Sequence, residues 1–336
     1  LRSNNNAGKQ NAENDRLRVL IVRLGAMGDV LHAMPAVAAL RAQLPECHVG
    51  WVIEPRWMPL LTADGAAPRT PTMPLVDVVH MANARRWARQ PLASSTWRAM
   101  RGLRRELQAQ RYDLAIDLQG ALRSALIGRA SSAELVGEAE PREGPARWFF
   151  QRKVATQGVH VIEQAVEVVA GATGLTLAPM LPPLPVDCAA ERRVAAMLPD
   201  AGALVLLHPG AGWGAKRWPA ERYGALAAAL KARGYAVVVN CAPGEEALAA
   251  DVLRSSGGAA REIATDMAEL IAMTRRCVLV IGGDTGPAHL ACALGKPVVG
   301  LYGPTDPARN GPWGVPFRVL RHPESRRDHA RRSTPE

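Results

Sequence analysis

Short β-branched runs that break off at a glycine and give way to apolar residues at helical spacing recur along this chain. That alternation leaves little choice of architecture. LRVLIVRLG (17–25) is such a run, and from Asp29 to Leu44 the spacing turns helical. HVGWVIE (48–54), VDVVHMA (76–82) and YDLAIDLQG (112–120) are further strands, the last two separated by an arginine-rich helix. Prolines at 179, 182, 183 and 185 then stiffen the chain and remove backbone donors, which predicts a linker or sheet edge. Beyond them the pattern restarts with ALVLLHPGAG (203–212), YAVVVNCAPGEE (235–246) and VLVIGGDTGPAHLACALGKPVVGLYGPTDP (278–307). The α/β alternation predicts two doubly wound, Rossmann-like domains in tandem, each a parallel sheet covered on both faces. We place them at 17–180 and 181–318, between a polar, disordered lead at 1–16 and a basic, disordered tail at 319–336.

Length suits two domains, and 48% hydrophobic residues suffice for their cores. With aromatics at only 4%, those cores must be Ala, Val and Leu. No apolar run reaches the roughly 18 residues of a spanning helix, and the lead lacks a signal-peptide stretch, so a cytoplasmic location is expected. The five scattered cysteines have no metal spacing and suit reduced thiols. Net charge is +10, concentrated between residues 85 and 111, where eight arginines face one acid, Glu106. Such a field attracts polyanions. From Arg98 to Arg111 a solvated helix face is the favoured account. The Arg85-Arg86-Trp87 segment, expected in a loop before that helix, is the better ligand candidate. A nucleic-acid binder ranks last, because few aromatics are available to stack on bases.

In parallel α/β sheets, ligands bind beyond the carboxyl ends of strands, and three motifs fall there. In RLGAMGDVLHAMPA (23–36), Gly25 and Gly28 permit a tight turn and Asp29 enters the first helical turn. A simple helix cap is the bland account of Asp29, worth about 1 kcal/mol, but it leaves both glycines unexplained. The segment is not GxGxxG, which weakens a nicotinamide-dependent dehydrogenase. In HPGAGWGAKRWP (208–219), glycines at 210, 212 and 214 leave backbone donors unobstructed for a diphosphate, and Lys216 brings a cation close. In GGDTGPAHLA (282–291), Asp284 or Thr285 caps a helix whose first N–H groups, near Gly286, face the same anion, and His289 projects one turn in toward a sugar hydroxyl. No paired carboxylates or His/Asp/Glu cluster suit a metal, so Lys216 and helix dipoles must stabilise the leaving diphosphate.

Together these segments resemble the heptosyltransferases of lipopolysaccharide core assembly, glycosyltransferase family 9, over about residues 18–314. ARRW (84–87) and PREGPARWFFQRK (141–153) add to the likeness. Within the family it is to the type I enzymes; types II and III, or a member with another donor or acceptor, are the alternatives. The resemblance implies a GT-B fold, two Rossmann-like domains facing a central cleft. It implies a metal-independent, inverting transfer from ADP-L-glycero-β-D-manno-heptose to Kdo on Kdo-lipid A, with no further cofactor. Asp29 then matches the catalytic base, and Lys216 the donor-phosphate lysine. Gly28, Asp284, Thr285, Gly286 and His289 match donor-binding positions, Glu245 a ribose contact and Thr265 a position near the adenine. Gly210 and Ala211 stand where type I enzymes carry two threonines, leaving backbone donors only. Arg85, Arg86, Arg89 and Arg142 resemble the basic residues facing the acceptor. Expected partners are the donor, the anionic lipid acceptor and the inner face of the inner membrane, approached peripherally by a monomer.

Overall fold

The structure, a computed structural model, describes residues 17–198 and 202–325. The chain divides into two compact units at Pro185/Val186, within the proline-rich stretch. The lead at 1–16 and residues 326–336 of the expected tail lie outside the described residues.

In the first unit six strands, β1 (Arg18–Val22), β2 (His48–Ile53), β3 (Val78–Met81), β4 (Leu114–Asp117), β5 (Glu134–Glu138) and β6 (Arg152–Val154), form one parallel sheet in the order β3-β2-β1-β4-β5-β6. Both faces are covered. Helix α1 (Met27–Gln43) is buried at nearly every position from Val30 to Leu40, as a helix packed between sheet and neighbouring helix must be. Two helices lie between β3 and β4, α2 (Ala84–Arg89) and α3 (Ser94–Ala109), and α4 (Leu122–Ala130) and α5 (Val161–Thr173) follow β4 and β6. The Arg85-Arg86-Trp87 segment is therefore helical, correcting the expected loop; Asn83 caps it by accepting from Arg86 N at 3.3 Å. Strand β2 needs Gly50, because a Cβ there would lie 1.8 Å from the Tyr112 hydroxyl. That hydroxyl bonds His80 Nε2 at 2.8 Å, so a buried polar pair is satisfied beneath the sheet edge.

The second unit begins with α6 (Cys188–Met197), followed by β7 (Leu204–His208), α7 (Ala220–Ala232), β8 (Ala236–Val239), α8 (Glu246–Ser255), β9 (Arg261–Glu262), α9 (Met267–Arg276), β10 (Cys277–Gly283), α10 (Gly286–Ala293), β11 (Val298–Tyr302), α11 (Pro307–Asn310) and β12 (Phe317–Arg321). Its sheet, again parallel throughout, runs β12-β11-β10-β7-β8-β9. Strand β12 reaches three residues into the stretch expected to be tail. The core of this unit is Val, Leu and Ala with Ile281, and Tyr223 is the large exception.

Each sheet reverses its strand order once, between β1 and β4 in one unit and between β7 and β10 in the other. Strands diverge there at their carboxyl ends and leave a crevice, the place where doubly wound sheets bind ligands. His208 ends β7 fully enclosed, and burial pushes its imidazole down to about 4. Its folded-state pKa lies below the unfolded one, so its contribution is complete above about pH 6.5 and is lost as pH falls toward 4. The loss amounts to about 3 kcal/mol. We expect His208→Gln to melt with a smaller drop in Tm than wild type between pH 6.5 and pH 4.5. Parallel pH curves for the two proteins would rule this out.

Candidate functional site

At the first reversal point, β1 ends in Val22 and the chain turns through Arg23-Leu24-Gly25-Ala26 into α1. Helix α1 starts at Met27 with Ala26 at its N-cap, so Asp29 sits at the third helical position and is not the cap. Its carboxylate is held at both oxygens. Oδ2 accepts from Ala26 N–H at 3.1 Å, and Oδ1 pairs with Arg23 Nη2 at 3.0 Å. Arg23 in turn donates through Nη1 to the Leu118 carbonyl just past β4, and its guanidinium is largely buried, with Asp29 half exposed. The two strand ends are laced together again where Leu24 N–H donates to Gln119 Oε1 at 2.8 Å. Sequence alone does not single out Arg23, because it continues an apolar strand run. A charge closing an otherwise apolar run was the available signal.

Asp117, the last residue of β4, is the buried anchor of that lacing. It accepts from Gln119 N–H at 2.7 Å, Gly120 N–H at 2.9 Å and the Ser124 hydroxyl at 2.8 Å. Burial raises its carboxyl to about 6, despite those bonds and the nearby Arg23 charge. Gly120 has φ +62°, and a Cβ there would meet Arg142 N at 2.9 Å; the DLQG turn thus seats the Arg142 loop beside the strand ends. The Arg142 side chain is exposed and pairs with Glu143 at 3.1 Å. On the other flank, Glu54 N–H bonds the Leu24 carbonyl at 3.0 Å, and its buried carboxylate takes Arg56 and Arg85 at 3.3 and 3.4 Å. Arg85 and Arg142 therefore bracket the Asp29 loop. Arg86 instead lines a cavity of about 390 Å³ with Trp87, Thr96 and Glu106, and Arg89 is exposed in the last turn of α2.

At the second reversal point, β7 ends in His208 and the loop runs through Gly210 and Ala211 to Lys216. Lys216 Nζ reaches across to the end of β10, 2.5 Å from Asp284 Oδ2 and 3.1 Å from the Asp284 carbonyl, with the Trp213 ring centroid at 4.3 Å. Asp284 Oδ1 lies 3.1 Å from His289 Nε2. Burial alone would raise the Asp284 carboxyl, but His289 and then Lys216 outweigh it and hold it far below the usual carboxylate range. Two expectations change here. Thr285 is the N-cap of α10, yet its hydroxyl turns to the Gly283 carbonyl rather than capping the helix. His289 is buried against Asp284 rather than projecting freely. Gly286 supplies the first helical N–H, and Pro287 contributes none.

Gly210 has a second reason to be glycine: a Cβ there would lie 2.0 Å from Glu245 Oε2. Glu245 is fixed by Arg217 Nη2 at 2.9 Å and by Ala242 N–H at 3.2 Å. A side chain at 210 would push this carboxylate aside. Thr265 Oγ1 accepts from Asn240 Nδ2 at 3.0 Å at the end of β8, on the Glu245 side of the sheet. A cavity of about 1060 Å³ runs from Lys216 and Arg217 past Tyr302 toward β12; of the expected donor residues it includes only Lys216. Among the described residues, no group of three or more His, Cys, Asp or Glu side chains is placed to hold a metal ion, and no helix is long and apolar enough to cross a membrane.

Residues 100–336 match the family described as Glycosyltransferase family 9 (heptosyltransferase). The chain is 31% identical over 310 residues to lipopolysaccharide heptosyltransferase 1 of Pseudomonas aeruginosa, covering 89% of this chain and 82% of that protein. Among solved structures it is similar to E. coli heptosyltransferase WaaC with ADP, at TM-score 0.76 and 28% identity over 91% of this chain and 94% of that one. The same enzyme with ADP-2-deoxy-2-fluoro heptose aligns at TM-score 0.75 and 27% identity, with the same coverage.

Proposed function

This chain belongs to glycosyltransferase family 9, the heptosyltransferases, and on that footing we propose that it moves L-glycero-D-manno-heptose from ADP-heptose to Kdo of Kdo-lipid A, with inversion. The coarser statement, a GT-B heptosyltransferase of the lipopolysaccharide core, rests on the family and on its relatives named heptosyltransferase 1. For the donor part of the finer one, the support is a single observation: the Lys216–Asp284–His289 cluster stands at the reversal point of the second sheet, beside the N-terminus of α10. Asp284, kept ionised and anchored by His289, aims the ammonium while the helix end offers backbone donors. A diphosphate suits that pairing of fixed cation and helix dipole. The donor analogue held by the E. coli relative is of the same class.

In the reaction, the acceptor hydroxyl oxygen bonds to the anomeric carbon as the carbon–oxygen bond to ADP breaks, and the electron pair leaves on the diphosphate. Asp29 takes the hydroxyl proton. Arg23 and the Ala26 N–H hold the carboxylate still, so positioning offsets the modest basicity of a carboxylate at a helix start. Lys216 and α10 take the growing diphosphate charge. Glu245 contacts the ribose, Thr265 borders the adenine, and Gly28, Gly210, Ala211, Thr285 and Gly286 offer backbone close to the donor. The enzyme acts as a monomer without a resident cofactor at the cytoplasmic face of the inner membrane.

Purified protein given ADP-heptose and Kdo-lipid A should release ADP and add one heptose with inverted anomeric configuration, in excess EDTA as well as without it. Turnover only on acceptors that already carry heptose would move the chain to the type II or III reading. Activity abolished by EDTA and restored by Mg²⁺ would show that Lys216 and α10 do not suffice for the leaving group. Arg85, Arg86, Arg89 and Arg142 are proposed to grip acceptor phosphates and carboxylates, since guanidinium binds both in a bidentate, charge-assisted way. Arg85→Ala with Arg86→Ala should raise acceptor KM about tenfold or more, leave donor Kd unchanged, and make the reaction less sensitive to salt. Equal salt sensitivity in both proteins would return these arginines to plain solvated surface.

A further inference from the structure

Helix α3 is bound to its unit by a narrow stripe, Thr96, Leu103 and Leu107. One flank lines the cavity beside Arg86, and the remainder faces outward. Trp97 is 52% exposed and Met100 44%, and just before the helix Leu92 is 90% exposed. Arg101 and Arg104 stand beside Trp97 and Met100, and Arg98 and Arg105 lie further round the helix; all four are exposed, and none has an ion pair among the described residues. The helix's one acid, Glu106, lies elsewhere: it lines the cavity beside Arg86, 3.7 Å from His80 Nδ1. Trp97, Arg101 and Arg104 follow one another at i, i+4 and i+7 and so share a face.

A solvated helix face accounts for the arginines but not for an indole and a thioether held in water among them. Burying each apolar group is favourable, whereas burying four unpaired guanidinium groups in a protein interface would be costly without matching acids. An anionic lipid surface meets both demands. The apolar side chains enter the headgroup boundary, where Trp is at home, while the arginines stay hydrated beside lipid phosphates. We infer that the outward face of α3, centred on Trp97 and Met100, is a docking surface for anionic lipid, separate from the arginines proposed to bind the acceptor. The inference deepens the membrane-side placement proposed above, but its readout needs neither donor nor acceptor.

The full-length chain should co-sediment with vesicles of phosphatidylcholine containing phosphatidylglycerol and much less with phosphatidylcholine alone. Trp97→Ser with Met100→Ser should weaken binding to the anionic vesicles at least about tenfold. Arg101→Gln with Arg104→Gln should weaken it comparably and flatten its salt dependence. Turnover of the Trp97/Met100 variant on a water-soluble acceptor lacking acyl chains should equal wild type, whether or not the heptose assignment is right in detail. Unchanged vesicle binding in that variant overturns the inference, as does absence of binding by wild type. So does a wild-type dimer that the variant splits without altering vesicle binding, because the patch would then be a contact between copies of this chain.

Discussion

Asp29→Asn lowers kcat at least a hundredfold while the donor still binds with near-normal affinity. General-base catalysis is worth about 10²–10⁴ in rate, and the amide cannot take the acceptor proton. The local structure should survive the change. The amide oxygen can still accept from the Ala26 N–H, and Arg23 keeps its bond to the Leu118 carbonyl. The lost ion pair is half exposed on the Asp29 side, so its stability cost is small. Calorimetry with ADP and product formation with saturating donor separate the two effects. A variant keeping more than about a tenth of wild-type kcat would reduce Asp29 to a helix-start residue that braces Arg23.

Lys216→Ala should do more than weaken donor binding, because the lysine is already paired. Both partners of the Lys216–Asp284 pair are nearly enclosed, and removing the ammonium leaves a buried carboxylate whose remaining ionisable partner among the described residues is His289. Breaking such a pair from one side costs about 3 kcal/mol of folding stability. Donor affinity and kcat should fall together, since Lys216 meets diphosphate in both the ground and the transition state. Adding Asp284→Asn to Lys216→Ala should restore much of the stability and none of the donor affinity. The two readouts are chemical denaturation and calorimetry with ADP. If the double variant stays as unstable as the single one, Asp284 is not the stranded charge. If the single variant binds ADP normally, Lys216 is not the phosphate contact.

Much of the unit architecture was legible in the sequence because its strands obey one simple rule. Buried parallel strands read as continuous apolar runs, and a polar residue or a glycine turn closes each at its carboxyl end. The runs at 17–25, 112–120, 203–212 and 278–283 supply the β1, β4, β7 and β10 that flank the two reversal points. The short edge strands β6, β9 and β12 were not legible. They are two to five residues long, partly exposed, and rich in arginine, so no period stands out. The Arg85 segment reads as loop in the sequence because six residues with three arginines are too few to carry a helical period. Its helix depends on the Asn83 cap and on Ala84 and Trp87 packing inward.

The donor motifs were legible as residues but not as partners. Sequence placed Lys216 and Asp284 in two glycine-rich loops and gave each a separate task, one as a free cation and the other as a helix cap. They stand 68 residues apart in the chain, and only the adjacency of β7 and β10 brings the ammonium onto the carboxylate. The same holds for Arg23, whose partner carbonyl at Leu118 lies 95 residues away at the end of the neighbouring β4. By itself the sequence determined where the strands flanking the two reversal points end and which chemically capable residues stand there, because periodicity and glycine punctuation act within a few residues. Which of those residues neutralise, orient or anchor one another was decided by strand order, since charges pair by distance in space and the sheet, not the chain, sets that distance.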